Sequence, residues 1–142
     1  MLAPWAGDQM NGGKRILIID DEQDHAELVA VLLRRRGYDV EVATDGPTGV
    51  ERALQLCPDL VLLDLCMPTI DGIATAVNLR GNKTTHEVPI VMMSACVEEL
   101  LHRGGPISGR FSCLAKPFHA AELLWVVEDA LAPRAAEAAT GS

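Results

Sequence analysis

The chain of 142 residues has the length of one domain and can bury a hydrophobic core without disulfide bonds. Lys and Arg total 12 and Asp and Glu total 20, so the net charge is −8, and aromatic residues make up only 4%. This composition argues against a protein that binds nucleic acid. No apolar run approaches the roughly 20 residues that cross a bilayer, and no secretory signal opens the chain. We therefore expect a cytoplasmic protein without direct nucleic-acid or membrane contacts.

The two ends of the chain carry little hydrophobic pattern. Residues 1–13 contain Pro and Gly in no regular order, and residues 133–142 contain no apolar residue larger than Ala. We predict a flexible leader over residues 1–13, one folded domain over residues 14–132 and a flexible tail over residues 133–142. Nothing after the domain predicts a second folded unit.

The first half of the domain predicts the order strand, helix, strand, helix. Residues 16–19 are an apolar strand, and the helix that follows ends at Gly37. Residues 38–42 alternate apolar and polar, as an edge strand does, and a helix over 46–57 follows. Helical spacing predicts two inner stripes, the first formed by Ala26, Val29, Ala30 and Leu33 and the second by Val50, Ala53, Leu54 and Cys57.

The second half repeats this alternation. Residues 60–63 are wholly apolar, which is typical of a central parallel strand. Further strands are predicted over 88–93 and 111–115. The helices are predicted over 72–80, with Ile73, Ala76 and Val77 facing inward, from Val97 onward, and over 121–131.

Repeated strand–helix alternation predicts an α/β fold with a parallel sheet. Ligands of such sheets bind beyond the carboxyl ends of the strands. The predicted strands are followed there by Asp20 and Asp21, Asp64, Ser94 and Lys116. Three carboxylates at one rim repel each other, and Mg²⁺, which prefers oxygen ligands, would offset that repulsion. A carboxylate can also act as a nucleophile and form an acyl phosphate.

These residues resemble the receiver domain of bacterial response regulators, including the stand-alone chemotaxis type. The resemblance extends from about Arg15 to Leu131 and includes Asp64-Leu-Cys-Met-Pro-Thr-Ile-Asp-Gly72, Ser94-Ala95 and Lys116-Pro117-Phe118. The spacings 94 − 64 = 30 and 116 − 94 = 22 are typical of that family. The resemblance implies a flavodoxin-like, doubly wound, five-stranded parallel sheet of order 2-1-3-4-5, with helices on both faces.

The resemblance also implies a role for each site residue. Asp64 would be the phosphoacceptor, and Asp21 and Asp64 would bind Mg²⁺ directly. Asp20 would bind the ion through water, and the backbone carbonyl of Cys66 would be a further ligand. The phosphoryl group would contact the Ser94 hydroxyl and Lys116, with small Ala95 leaving it room and Lys116-Pro117 in the cis form.

The implied function is that of a phosphorylatable regulator in a two-component phosphorelay. A histidine kinase or a phosphotransfer protein would supply the phosphoryl group. The chain would be a monomer or weak dimer without its own effector domain. It would be no enzyme beyond its own phosphorylation and dephosphorylation.

Three features depart from the family. Cys113 stands where receivers usually carry the aromatic residue that moves on activation. Gly104-Gly105-Pro106 should stop the helix that begins at Val97.

A downstream protein would bind the face formed by that helix, the strand over 111–115 and the last helix. Because this helix is shortened, we expect the interaction with downstream partners to be atypical. Trp125 should point outward on the last helix, where it either covers the shortened helix or contacts a partner.

Several alternatives stay open. A pseudo-receiver would keep the fold as a protein-binding module with degenerate switching. A carboxylate phosphatase usually has a second Asp two residues after the nucleophile, where this chain has Cys66. Taken singly, Asp20, Asp21 or Asp24 could cap a helix and Ser94 could be an ordinary strand-end hydroxyl. We interpret His25, His86, His102 and His119 as surface or capping residues, and Cys57, Cys66, Cys96 and Cys113 as buried thiols.

Overall fold

The computed structural model describes residues 13–65, 72–95 and 111–132. The leader over 1–12, the helix predicted from Val97 and the tail over 133–142 lie outside the described residues. The described elements are, in chain order, β1 (Arg15–Ile19), α1 (Gln23–Arg34), β2 (Asp39–Ala43), α2 (Gly46–Leu56), β3 (Leu60–Asp64), α3 (Gly72–Arg80), β4 (Ile90–Ser94), β5 (Phe111–Ala115) and α4 (Ala120–Leu131).

The strands form one parallel sheet in the order β2-β1-β3-β4-β5. This is the flavodoxin-like order that was predicted. The apolar β3 lies at the centre and is buried along its whole length, whereas the alternating β2 lies at an edge. Because all strands run the same way, their carboxyl ends meet at one rim of the sheet.

Helices cover both faces of the sheet, as predicted. On β1, Ile16 and Ile18 pack into one core cluster with α1 and α4. The alternate residues Leu17 and Ile19 pack into a second cluster with α2 and α3. The period-two alternation of a strand therefore divides the core into two layers.

The inner faces of α2 and α3 differ from the prediction. In α2 the buried residues are Gly46, Gly49 and Ala53, and Leu54 is exposed. A Cβ atom at Gly49 would lie 2.5 Å from Cδ1 of Ile19, so the absence of a side chain lets α2 lie close to the sheet. Small residues thus mark this inner face, and counting large apolar residues misses them.

The same error affects α3 and one cysteine. Val77 is exposed, because α3 turns Gly72, Thr75, Ala76 and Leu79 toward the core. The prediction of buried thiols is wrong for Cys57, which is exposed, and Cys113 is half-buried. Cys66 and Cys96 lie outside the described residues.

Candidate functional site

The structure brings the predicted site residues together at the carboxyl ends of the strands. Asp20 follows β1, Asp64 ends β3, Ser94 ends β4 and Lys116 follows β5. Asp20, Asp64 and Ser94 are buried, and the Asp20 side chain has no exposed surface. We call these four residues, together with half-buried Asp21, the carboxyl rim.

Lys116 is the cation of the carboxyl rim. Its Nζ lies 3.1 Å from Oδ1 of Asp64, and its backbone N–H donates a hydrogen bond of 2.9 Å to the carbonyl oxygen of Ser94. The Lys116–Pro117 bond is cis, as predicted. Water screens the Coulomb attraction of this largely shielded pair less than that of a surface pair, and the attraction orients Lys116 toward Asp64.

Three carboxylates share the rim with this one lysine. One oxygen each from Asp20, Asp21 and Asp64 lies within 4.8 Å of the others. Such clustered carboxylate oxygens are the ligands that Mg²⁺ prefers, so the donor set fits this ion. The other predicted ligand, the backbone carbonyl of Cys66, lies outside the described residues.

Burial sets the acidity of Asp20. Loss of hydration raises the pKa of this carboxyl group, and neighbouring Asp64 raises it further. Hydrogen bonds from His25 and from the backbone N–H of Glu22 act in the opposite direction. Ionisation of Asp20 is therefore less favourable than in water, and a nearby cation would offset the difference.

His25 is a member of the site that sequence reasoning missed. Its Nδ1 lies 2.6 Å from Oδ2 of Asp20, while the N–H of Glu22 donates to Oδ1 of the same carboxylate at 2.9 Å. The His25 ring also meets Phe118 edge to face, with 5.8 Å between ring centroids. The sequence could have indicated this contact, because His25 lies five residues after Asp20 and the first turn of α1 brings the chain back over the end of β1.

The prediction for the four histidines is therefore wrong for His25. It is confirmed for His86, which is exposed, and for His119, which is the N-cap of α4. His102 lies outside the described residues. The N-cap of α1 is Glu22, whose own side chain makes no cap hydrogen bond, and the backbone N–H of Glu22 donates to Oδ1 of Asp20.

A groove of about 580 Å³ opens beside the rim, between α1 and the segment after β5. Lys116 and exposed Ala95 line it together with His25, and its walls are mainly apolar. Leu28 in this groove is 60% exposed. The other lining residues are Glu22, Val29, Leu32, Pro117, Phe118 and Ala120.

A second groove of about 440 Å³ lies between β5 and α4. Cys113, Glu122 and Trp125 are among its lining residues, and Trp125 is 66% exposed. Trp125 therefore points outward, as predicted. Cys113 packs beside the core layer of α2 and α3, and burial raises the pKa of its thiol.

Known proteins resemble this chain in sequence. Residues 16–128 match the family described as response regulator receiver domain. The DNA-binding dual master transcriptional regulator RpaA of Synechocystis sp. is 41% identical over 110 residues, which are 78% of this chain and 46% of that protein. The chain spans about half the length of the curated relatives it matches.

Solved structures resemble it in fold. The chemotaxis response regulator CheY4 of Vibrio cholerae has a TM-score of 0.76 at 26% identity, with 83% of this chain and 98% of CheY4 covered. The receiver domain of sensor histidine kinase PA1611 from Pseudomonas aeruginosa was solved with a magnesium ion coordinated in the active-site cleft. Its TM-score is 0.74 at 28% identity, with 84% of this chain and 98% of that domain covered.

None of the helices in the described ranges is long and apolar enough to cross a membrane. The strand order, the cluster at the carboxyl rim and the sequence match agree with one another. The chain belongs to the response regulator receiver domain family of two-component signalling, in which phosphorylation and Mg²⁺ binding are typical.

Proposed function

We propose that Asp64 accepts a phosphoryl group from a histidine kinase or a phosphotransfer protein, with Mg²⁺ bound at the carboxyl rim. The position of Asp64 carries the proposal. Its carboxylate lies at the buried end of the central strand, 3.1 Å from Nζ of Lys116 and within 4.8 Å of oxygens of Asp20 and Asp21. Asp64 is thus the acid of this cluster that also pairs with the lysine.

The metal ligands are those that the resemblance to receiver domains implies, and the cluster of Asp20, Asp21 and Asp64 supports them. In the proposal Asp21 and Asp64 bind the ion directly, Asp20 binds it through water, and the carbonyl of Cys66 completes the protein ligands. When bound, Mg²⁺ supplies positive charge to the oxygens of the phosphoryl group in transit.

The transfer itself needs one nucleophile and two stabilising groups. A carboxylate oxygen of Asp64 attacks phosphorus, the new O–P bond forms, and the N–P bond of the donor phosphohistidine breaks with its electron pair returning to nitrogen. The Lys116 ammonium pairs with one phosphoryl oxygen, and the Ser94 hydroxyl donates to another. Ala95 leaves room for the group. Water later attacks phosphorus, the O–P bond to Asp64 breaks, inorganic phosphate leaves and the carboxylate is restored. In this proposal the chain catalyses only these two steps on itself.

The groove along α1 is the proposed docking site of the phosphodonor protein. Lys116 is one of its lining residues, and its wall is mainly apolar and exposes Leu28. An amphipathic helix that carries the phosphohistidine would bury its apolar face there and bring phosphorus to Asp64. Leu28→Asp should slow transfer from a kinase at least several-fold and leave phosphorylation by acetyl phosphate unchanged. Leu54→Asp, at another exposed apolar position, should affect neither.

Incubation with acetyl phosphate and Mg²⁺, followed by intact-mass measurement, tests the phosphoacceptor. We expect one added phosphoryl group in the parent protein and none in Asp64→Asn. Asp59→Asn changes an exposed carboxylate at the opposite end of β3 and should still be phosphorylated. Uptake by Asp64→Asn at the parental rate would refute the assignment.

One observation favours a second function, a pseudo-receiver that binds proteins without phosphate switching. Cys113 occupies the usual aromatic position, and its half-buried thiol is too small to replace a ring. In that case the parent protein would take up no phosphoryl group from any donor. Phosphorylation of the parent would exclude the pseudo-receiver. Cys113 would then alter only the conformational change that follows phosphorylation.

The output surface is the third part of the proposal. The groove between β5 and α4 exposes Trp125, a side chain that contributes strongly to protein interfaces. A downstream protein would bind there, in the cytoplasm, and Trp125→Ala should weaken it without altering phosphorylation. The absence of an effector domain, the lack of nucleic-acid contacts and a monomeric or weakly dimeric state stay predictions. RpaA, named as DNA-binding, extends well beyond the 110 matched residues, which are 46% of its length.

A further inference from the structure

We propose that His25 is a positioning residue of the metal site, which fixes the carboxylate of Asp20 for Mg²⁺ binding. This inference rests on the proposed binding of Mg²⁺ at the carboxyl rim. His25 is not one of the receiver motif residues, so this role is additional to those of Asp20, Asp21, Asp64 and Lys116.

Both oxygens of Asp20 are held by the protein. The N–H of Glu22 donates to Oδ1 at 2.9 Å, and His25 Nδ1 lies 2.6 Å from Oδ2. In the Mg²⁺-bound site Asp20 is ionised and only accepts hydrogen bonds, so Nδ1 of His25 carries the hydrogen there. With one bond on each oxygen the carboxylate cannot rotate freely, and its remaining lone pairs are available to the cluster with Asp21 and Asp64.

The His25 ring is itself fixed. It projects from the first turn of α1 and contacts Phe118 edge to face, at an interplanar angle of 64°. It is therefore held between Asp20 on one side and the segment after Lys116 on the other. Because the Asp20 side chain is buried from bulk solvent, loss of the His25 bond leaves a buried oxygen without that partner.

A partner that orients a metal-binding group usually changes metal affinity about 10- to 100-fold when it is removed. Asp20 binds the ion through water in the proposed site, so we expect the lower end of that range. Removal of the His25 bond should weaken Mg²⁺ binding about tenfold. The effect should be present without any phosphodonor.

Titration calorimetry of Mg²⁺ binding to the unphosphorylated protein tests this. His25→Leu keeps an apolar contact with Phe118 but has no donor, and its affinity should fall about tenfold. His25→Asn places an amide nitrogen near the position of Nδ1 and should restore near-parental affinity. If His25→Leu does not fold, His25→Gln replaces it, because its amide lies one methylene further from the backbone and should also bind Mg²⁺ more weakly.

A double variant separates positioning from packing. In an Asp20→Asn background, His25→Leu should weaken Mg²⁺ binding no further, since the bond acts through the Asp20 carboxylate. An equal loss in both backgrounds would overturn the inference in favour of a packing role. Parental affinity in both His25→Leu and His25→Gln would overturn the role of His25 alone. Absence of Mg²⁺ binding in the parent would overturn the proposed metal site and this inference with it.

Discussion

The two rims of the parallel sheet differ in how their charged side chains are paired and buried. At the amino ends of the strands, which we call the amino rim, Arg15 contacts Asp39 at 3.4 Å, and these side chains are 43% and 59% exposed. Arg15 also donates from its backbone to Asp59 and from its guanidinium to the carbonyl of Leu56, both at 2.8 Å. Arg15, Asp39 and Asp59 thus each have a partner and access to water.

At the carboxyl rim, three carboxylates share one lysine, and Asp20 is fully buried. Burial of like charges destabilises a fold unless a cation offsets them. The amino rim ties chain segments together, whereas the carboxyl rim is arranged for a positively charged ligand. The following predictions test this contrast, from the largest expected effect to the smallest.

Gly72→Ala should cause the largest loss, because α3 begins against the end of β3. A Cβ atom at Gly72 would lie 2.8 Å from the backbone oxygen of Asp64 and 2.8 Å from Cα of Leu65. We expect a loss of about 1–3 kcal/mol in the free energy of unfolding, measured with urea. Gly81→Ala is the control, since its Cβ would meet its nearest neighbours at an ordinary 3.5 Å. Equal stability of the two variants would contradict the close packing at this rim.

Mg²⁺ should stabilise the protein by mass action on the folded state. At ten times the dissociation constant the gain is about 1.4 kcal/mol, which calorimetry would detect as a higher Tm. Asp21→Ala should abolish the response, whereas Asp59→Asn at the amino rim should keep it. A Tm that does not change with Mg²⁺ in the parent would contradict the claim that the carboxyl rim is arranged for a cation.

Asp20→Asn should stabilise the metal-free protein at neutral pH. Burial raises the pKa of Asp20 above its ordinary value of 3.8, so protonated Asp20 favours folding below that value, and this contribution is lost as pH rises through the raised pKa. The amide stays neutral throughout, so we expect a gain on the order of 1 kcal/mol at pH 7, by urea denaturation in EDTA. The gain should vanish below about pH 3, where both side chains are neutral in the folded and unfolded states. A gain that persists in acid would have a cause other than charge.

Asp39→Asn should have the smallest effect. It removes one exposed partner of Arg15, and exposed ion pairs contribute about 0–1 kcal/mol. We expect a change below about 0.5 kcal/mol in either buffer, with or without Mg²⁺. A larger loss than that of Gly72→Ala would reverse the ranking of the two rims.

Much of this molecule follows from its sequence. The all-apolar β3 and the alternating β2 predicted the central and edge strands, and the strand ends predicted which residues gather at the carboxyl rim. These patterns are readable because a parallel sheet buries every residue of its central strands.

What the sequence did not reveal depends on contacts across the fold. The inner face of α2 rests on Gly49, whose contribution is a missing side chain, so a hydrophobic stripe cannot indicate it. His25 became a site residue only through the path of the chain between Asp20 and α1, which sets a 2.6 Å contact. Helical periodicity predicts on which face of a helix a residue lies, but it does not predict the distance between two side chains.

The carboxyl rim also has a kinetic consequence. Its members come from four separated stretches of the chain, at Asp20, Asp64, Ser94 and Lys116, and they meet only when β1, β3, β4 and β5 have paired. Contacts between residues far apart in sequence form late, after loop closure. The carboxylates themselves come from the ends of β1 and β3, so their repulsion, and its relief by Mg²⁺, begins only when these two strands pair, which we expect after the folding transition state. We expect the ion to slow unfolding while leaving the folding rate nearly unchanged, so that its loss shortens the lifetime of the folded chain.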